Sequence, residues 1–184
     1  MEIIRRSSLD EYATEFWNRE QLKNGNMGGA NPLAKLLKCH DYKLPFKNIN
    51  ADVVLVNLDR TDIAGLIIHG SMAPDDWMRQ NLTSVPEPFP RRLDDLAALF
   101  LQDGFFDRNS RQGGGTQARL FWQSSKAGRP VHIDRTMIQQ NVDGSLEIVD
   151  GFGRLLAYEA LLQRGYDFRV IDSFLASVPP PTVE

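Results

Sequence analysis

The sequence predicts a mixed α/β fold, a small sheet flanked by helices with an N-terminal helical extension, on three observations. Asp52–Leu58 (DVVLVNL) is β-branched and almost continuously apolar, the pattern of a strand covered on both faces. Leu93, Leu96, Ala97, Phe100 and Leu101 recur at spacings of three and four, which is the core-facing stripe of an amphipathic helix. The stretch from Asp143 to Leu161 passes from strand through a glycine turn directly into a helix. With 184 residues, the chain has the length of one domain. The expected division is a helical extension over 1–51 packed on the core, a domain over 52–175, and a proline-rich tail over 176–184.

Taken in order, Ser8-Leu9-Asp10-Glu11 is a capping box, and Tyr12, Ala13, Phe16 and Trp17 give the helix after it an apolar face. Asn31-Pro32 opens a second helix through Leu33, Leu36 and Leu37. Both helices read as packing elements. After the strand at 52–58, Thr61 or Asp62 caps a helix carrying Ile63, Leu66 and Ile67. A proline-rich loop, Val85 to Pro90, precedes the 93–101 helix, which Gly104 ends. Arg119 to Gln123 and Pro130 to Asp134 are expected as strands on either side of a Lys126-Ala127-Gly128 turn. Asn141 to Gly144 is a turn, Leu146 to Val149 a strand, Leu155 to Gln163 a helix, and Asp167 to Ile171 a last strand.

Composition narrows the function classes. A net charge of -3 excludes a protein that coats nucleic acid by charge alone. The single cysteine, Cys39, excludes an internal disulfide and suits a reducing cytoplasm. No apolar run is long enough to cross a bilayer and no secretory leader is visible, so the expected location is cytoplasmic or peripheral at the inner membrane. His40, His69 and His132 lack the paired spacing of a metal site, and no metal ligand set is expected.

The chemistry concentrates at Asp150-Gly151-Phe152-Gly153-Arg154. Glycines let a backbone approach a ligand closely, a helix start offers unpaired amides, and arginine adds a permanently charged planar fork. Such a turn suits a nucleotide or DNA phosphate, although a strand-to-helix turn with no ligand uses the same residues. Glu147 and Asp150 are the nearest carboxylates able to hold a divalent cation or orient water. Arg91 and Arg92 open the 93–101 helix, where positive charge opposes the helix dipole and a bound phosphate would relieve it. Solvated arginines after a proline loop account for them as simply. Arg108, Arg111, Arg119 and Arg129 bracket Gly113–Gly115 and could hold a DNA backbone; an ordinary surface loop fits equally.

A strand ending in Asp-Gly, two variable residues, Arg154 and then an alanine-bearing helix resembles the signature turn of the ParB/sulfiredoxin fold group. The element order over roughly 52–172 agrees, and the specific part is confined to about 143–165. Sulfiredoxins carry cysteine and histidine in this turn. Phe152 and Gly153 stand there in this chain, which speaks against thiol repair chemistry. Partition proteins append a helix-turn-helix domain, whereas roughly thirty residues follow Arg154 here.

A stand-alone version with a helical extension resembles the Osa-type plasmid fertility inhibition factors. That resemblance implies ATPase and DNase activity that blocks conjugative or T-DNA-like transfer near the coupling protein of a type IV secretion system. It makes DNA the substrate and partner and ATP the cofactor, with a divalent cation such as Mg2+. Gly151, Phe152, Gly153 and Arg154, with Arg91 and Arg92, would bind the nucleotide. Glu147, Asp150 and Arg154 would be catalytic, and Arg111, Arg119 and Arg129 would hold DNA. The alternative is a non-catalytic nucleotide- or protein-binding module that sequesters a secretion-channel or partition component; replacement of the turn's polar residues by Phe152 and Gly153 favours it. A CTP-dependent switch is a third reading.

Overall fold

Alternation of apolar residues builds the strands, and recurrence at three and four builds the helices that cover them. The computed structural model describes residues 1–24, 32, 34, 51–68, 78, 80–108, 116–128, 135–166 and 171–177. Among these, the strands are β1 (Glu2–Ser7), β2 (Asp52–Leu58), β3 (Ile67–Ile68), β4 (Thr136–Gln140), β5 (Leu146–Asp150) and β6 (Ile171–Ser177). They form one six-stranded sheet in the order β1-β2-β6-β4-β5-β3. The β1–β2, β2–β6 and β4–β5 pairs are antiparallel, whereas β4–β6 and β3–β5 are parallel. The helices are α1 (Leu9–Asn24), α2 (Arg60–Gly65), α3 (Leu93–Gln102), α4 (Thr116–Lys126) and α5 (Phe152–Gln163), with a 3-10 turn at Phe105–Asp107. The protein is a mixed α/β structure, a sheet flanked by helices, as the sequence predicts.

Each face of the sheet carries its own core. Val53 and Leu55 of β2, with Met137, Val149, Phe174 and Ala176, pack under Leu9, Tyr12, Ala13 and Phe16 of α1. Val56 and Leu58, with Ile138, Ile148 and Leu175, face the other way into the larger core beneath α2, α3, α4 and α5. The period-two alternation of the strands thus assigns α1 to one face and α2, α3, α4 and α5 to the opposite one. α5 is buried from Leu155 through Leu162 because it lies on the sheet and packs against α2, α3 and α4.

Several expectations change. β1 was not expected: its side chains are largely exposed, so it has no alternating signature, and its backbone pairing with β2 alone defines it. Residues 1–24 therefore contribute a strand as well as a helix. Of the capping box, only the Ser8 half forms, with the Glu11 amide donating to Ser8 Oγ at 3.1 Å. The Glu11 carboxylate turns instead to Arg5 and to Ser7 Oγ, which donates to it at 2.7 Å. The cap of α2 is Asp59, whose Oδ1 accepts from the Asp62 amide at 2.9 Å while the Asp59 amide donates to Asp62 Oδ2 at 3.0 Å. α2 stops at Gly65, and Ile67 belongs to β3.

Arg119 to Gln123 is helix, not strand. Ala118, Phe121, Trp122 and Ser125 are buried at helical spacing, whereas Leu120 is 57% exposed. An apolar run of this length carries either period, and packing of α4 on α5 selects the helical one. The strand before the Asn141–Gly144 turn is β4 at Thr136–Gln140; the expected one at 130–134 lies outside the described residues. The last strand is Ile171–Ser177, so residues expected in the tail from 176 begin inside β6. Of the second expected helix, Pro32 and Ala34 are described and both are helical.

Candidate functional site

The order strand, glycine turn, helix is the one the sequence predicts, but β5 runs to Asp150 and α5 begins at Phe152, three residues before the expected start at Leu155, so Gly153 and Arg154 lie in its first turn. Gly151 has φ +93°, and a Cβ there would lie 2.5 Å from Thr136 Cγ2 and 2.9 Å from Arg154 Nη2. Both the backbone conformation and the space require glycine. Gly153 is less constrained, since a Cβ there would meet Ala118 Cβ at 3.7 Å. Phe152 is half-buried against the larger core. The Arg154 and Leu155 amides both donate to Gly151 O at 3.0 Å, closing the first turn of α5.

Side chains converge on Asp150 from both layers of helices. Its Oδ2 accepts from Tyr12 Oη at 2.5 Å, from Arg19 Nη2 at 2.9 Å and from Arg154 Nη2 at 3.2 Å. The other terminal nitrogen of each arginine donates to one carbonyl, Arg135 O, at 3.4 Å in both cases. Arg135 itself pairs with Glu15 and, at 3.6 Å, with Asp172. Three guanidiniums and three carboxylates thus meet where β5 ends and β4 and β6 begin. Burial works against the charge of Arg19, but Asp150 and Tyr12 together outweigh it and raise the guanidinium pKa. Burial and then the Asp150 charge push the Tyr12 hydroxyl well above its ordinary value, so it remains a donor at any ordinary pH.

The other expected site residues do not join this cluster. Glu147 lies three strand residues earlier, roughly 10 Å along the backbone, and accepts from Gln139 Nε2 at 2.7 Å. Arg92 grips Asp94 through Nε at 3.1 Å and Nη2 at 2.8 Å, so an acid in the first turn of α3 relieves the dipole mismatch. Asp94 O in turn accepts from Gln163 Nε2 at 2.9 Å. Gln163 is the last residue of α5, which places Arg92 near the end of α5 opposite the Gly151 turn. The helix between is about 18 Å long. The exposed Arg91 lies beside Arg92 with its guanidinium 6.0 Å from the Phe89 ring centroid. Arg91 and Arg92 are therefore not part of a nucleotide site at Gly151.

Arg119 is buried, its guanidinium 4.9 Å from the Phe105 centroid, with Arg108 against the same ring at 6.0 Å. Burial first and Arg108 second lower its pKa. It is packed against an aromatic ring and not presented to a DNA backbone. Arg111, Arg129 and the three histidines lie outside the described residues.

Sequence reasoning missed Tyr12, Arg19 and Arg135. A signal for Arg19 exists in the sequence: Tyr12, Phe16 and Arg19 fall on one helical stripe, so a cation extends an apolar face. Its partner on β5 is 131 residues away in sequence, and no spacing reveals it.

Two planar forks hold one carboxylate oxygen here, the geometry guanidiniums also offer to a phosphate oxygen. The described residues offer no ready-made cation cage. The acid at the turn accepts three hydrogen bonds on one oxygen, and no group of three His, Cys, Asp or Glu side chains able to hold a metal occurs among the described residues. No helix among the described residues is long and apolar enough to cross a membrane. No family model, curated protein or solved structure matches the chain.

Proposed function

We propose that this protein is a phosphate-binding module that takes a nucleotide at the Gly151–Arg154 turn. We further propose that it acts in the setting its resemblance to the Osa-type fertility inhibition factors implies, the inhibition of conjugative or T-DNA-like DNA transfer. The observation that carries the reading is the convergence of Arg19 and Arg154 on one oxygen position beside a turn whose Gly151 leaves no room for a side chain. Guanidinium pairs are suited to phosphate because each fork matches two of its oxygens and stays charged at every physiological pH. Binding is favoured over hydrolysis because Asp150 already serves three donors and Glu147 is engaged by Gln139 some distance along the strand. The partner in this role is a protein of the secretion channel, such as its coupling protein, or the nucleic acid it exports.

Titration with ATP and with CTP, with and without Mg2+, tests the reading on wild type and Arg154→Ala. Wild type should bind saturably, independently of Mg2+. The variant should bind at least about tenfold more weakly, the equivalent of one charge-assisted hydrogen bond. Wild-type protein that binds neither nucleotide overturns the proposal. ATP hydrolysis and degradation of linear DNA in the same purified fractions would replace the binding module by the enzyme, with Asp150 and Arg154 at its centre.

A further inference from the structure

The two guanidiniums at the turn come from opposite layers of the fold. Arg19 extends from α1 on one face of the sheet and Arg154 from α5 on the other. Each spans the same two acceptors, Asp150 Oδ2 and Arg135 O, so the pair is held side by side around a single carboxylate oxygen. Two like charges held this close repel, and the negative group between them offsets that repulsion. Of the three side chains, Asp150 is the most accessible at 18%, against 10% for Arg19 and 13% for Arg154.

We infer that Asp150 is a built-in competitor, a carboxylate seated in the anion position between Arg19 and Arg154 that an incoming phosphate must displace. The inference rests on the phosphate reading of the turn and adds two things to it. Arg19, on a helix that the sequence reads as packing, is the second phosphate-binding side chain. Asp150 restrains binding instead of supporting it, the reverse of what a metal-holding or catalytic carboxylate would do. Tyr12 Oη, donating to the same oxygen from inside the α1 core, keeps the carboxylate in place when no ligand is present.

The test is calorimetric titration of wild type, Asp150→Asn, Arg19→Gln and Arg154→Ala with inorganic pyrophosphate at fixed ionic strength. Asparagine keeps the shape of the side chain and an oxygen for the Tyr12 hydroxyl while removing the charge. Asp150→Asn should bind about tenfold more tightly than wild type, and both arginine variants should bind more weakly. Wild-type binding that Asp150→Asn fails to strengthen overturns the role of Asp150 and leaves the phosphate reading standing. Pyrophosphate binding by neither wild type nor Asp150→Asn overturns both. If Asp150→Asn does not fold, Tyr12→Phe decides, because it loosens the competing carboxylate and keeps both guanidiniums: tighter pyrophosphate binding than wild type supports the inference, and affinity equal to wild type overturns it.

Discussion

Gly151 and Gly153 stand two positions apart and respond to alanine in opposite directions. At Gly151 a methyl group would meet Thr136 at 2.5 Å on a backbone with φ +93°. Gly151→Ala should therefore cost at least about 2 kcal/mol in urea unfolding, from the left-handed conformation and the clash together. Gly153 sits inside the first turn of α5 with φ in the ordinary range, and the added Cβ finds Ala118 at van der Waals distance, 3.7 Å. Gly153→Ala should stabilise by up to about 1 kcal/mol through helix propensity. A destabilised Gly153→Ala would show that α4 and α5 pack too closely to accept a methyl group. The sequence marks both glycines as a turn motif, but only the neighbours Thr136 and Ala118 separate the indispensable one from the replaceable one.

At the scale of elements, α5 carries an acid where its apolar surroundings do not favour one. Glu159 is buried, Gln163 Nε2 donates to its Oε1 at 3.0 Å, and its Oε2 has no hydrogen-bond partner among the described residues. Burial first, and then the Asp94 carboxylate of α3, push its pKa above the usual carboxylate range against the opposing pull of Gln163 and Arg60. The folded state then holds this proton more tightly than the unfolded chain does. The Glu159 contribution is accordingly favourable in acid and is lost as pH rises from the unfolded value through the raised folded one. Glu159→Gln should flatten that part of the stability-versus-pH curve at and above the ordinary carboxylate range. Unchanged slopes in wild type and variant would show that the side chain reaches water.

Glu11, at the start of α1, behaves in the opposite sense. Arg5 first and Ser7 second hold its carboxyl down to about 2, so its contribution is present above the ordinary carboxylate range and is lost as pH falls toward 2. The pair is partly exposed, so solvent screens it and it ties β1 to α1 only weakly.

At the scale of the whole molecule, the two cores share their strands. β2, β4, β5 and β6 each place side chains in both, and the Asp150 cluster joins α1 to α5 around the end of the sheet. Neither core can be exposed without breaking strands that the other needs, so the described fold should unfold in one cooperative transition. Trp17 is buried in α1 and Trp122 in α4, where it stacks on Phe106 at 4.8 Å. Urea transitions followed by fluorescence in Trp17→Phe and in Trp122→Phe should have equal m-values. Two separated transitions would show that α1 and β1 detach before the rest.

The sequence by itself determined the fold class, β2, α3, the Asn141–Gly144 turn and the passage from β5 through Gly151 into α5, because each depends on local periodicity or local turn chemistry. Its assignments failed where local patterns are ambiguous. The run Arg119 to Gln123 has no unique period, and β1 has no buried face to impose one. Tertiary structure alone decided what the site contains. It placed Tyr12 and Arg19 against Asp150, removed Arg91 and Arg92 to the far end of α5, and buried Arg119 against Phe105. The reason is physical: a charged residue takes its role from the partner that offsets its desolvation, and here that partner is set by how the helices stack across the sheet and not by spacing along the chain.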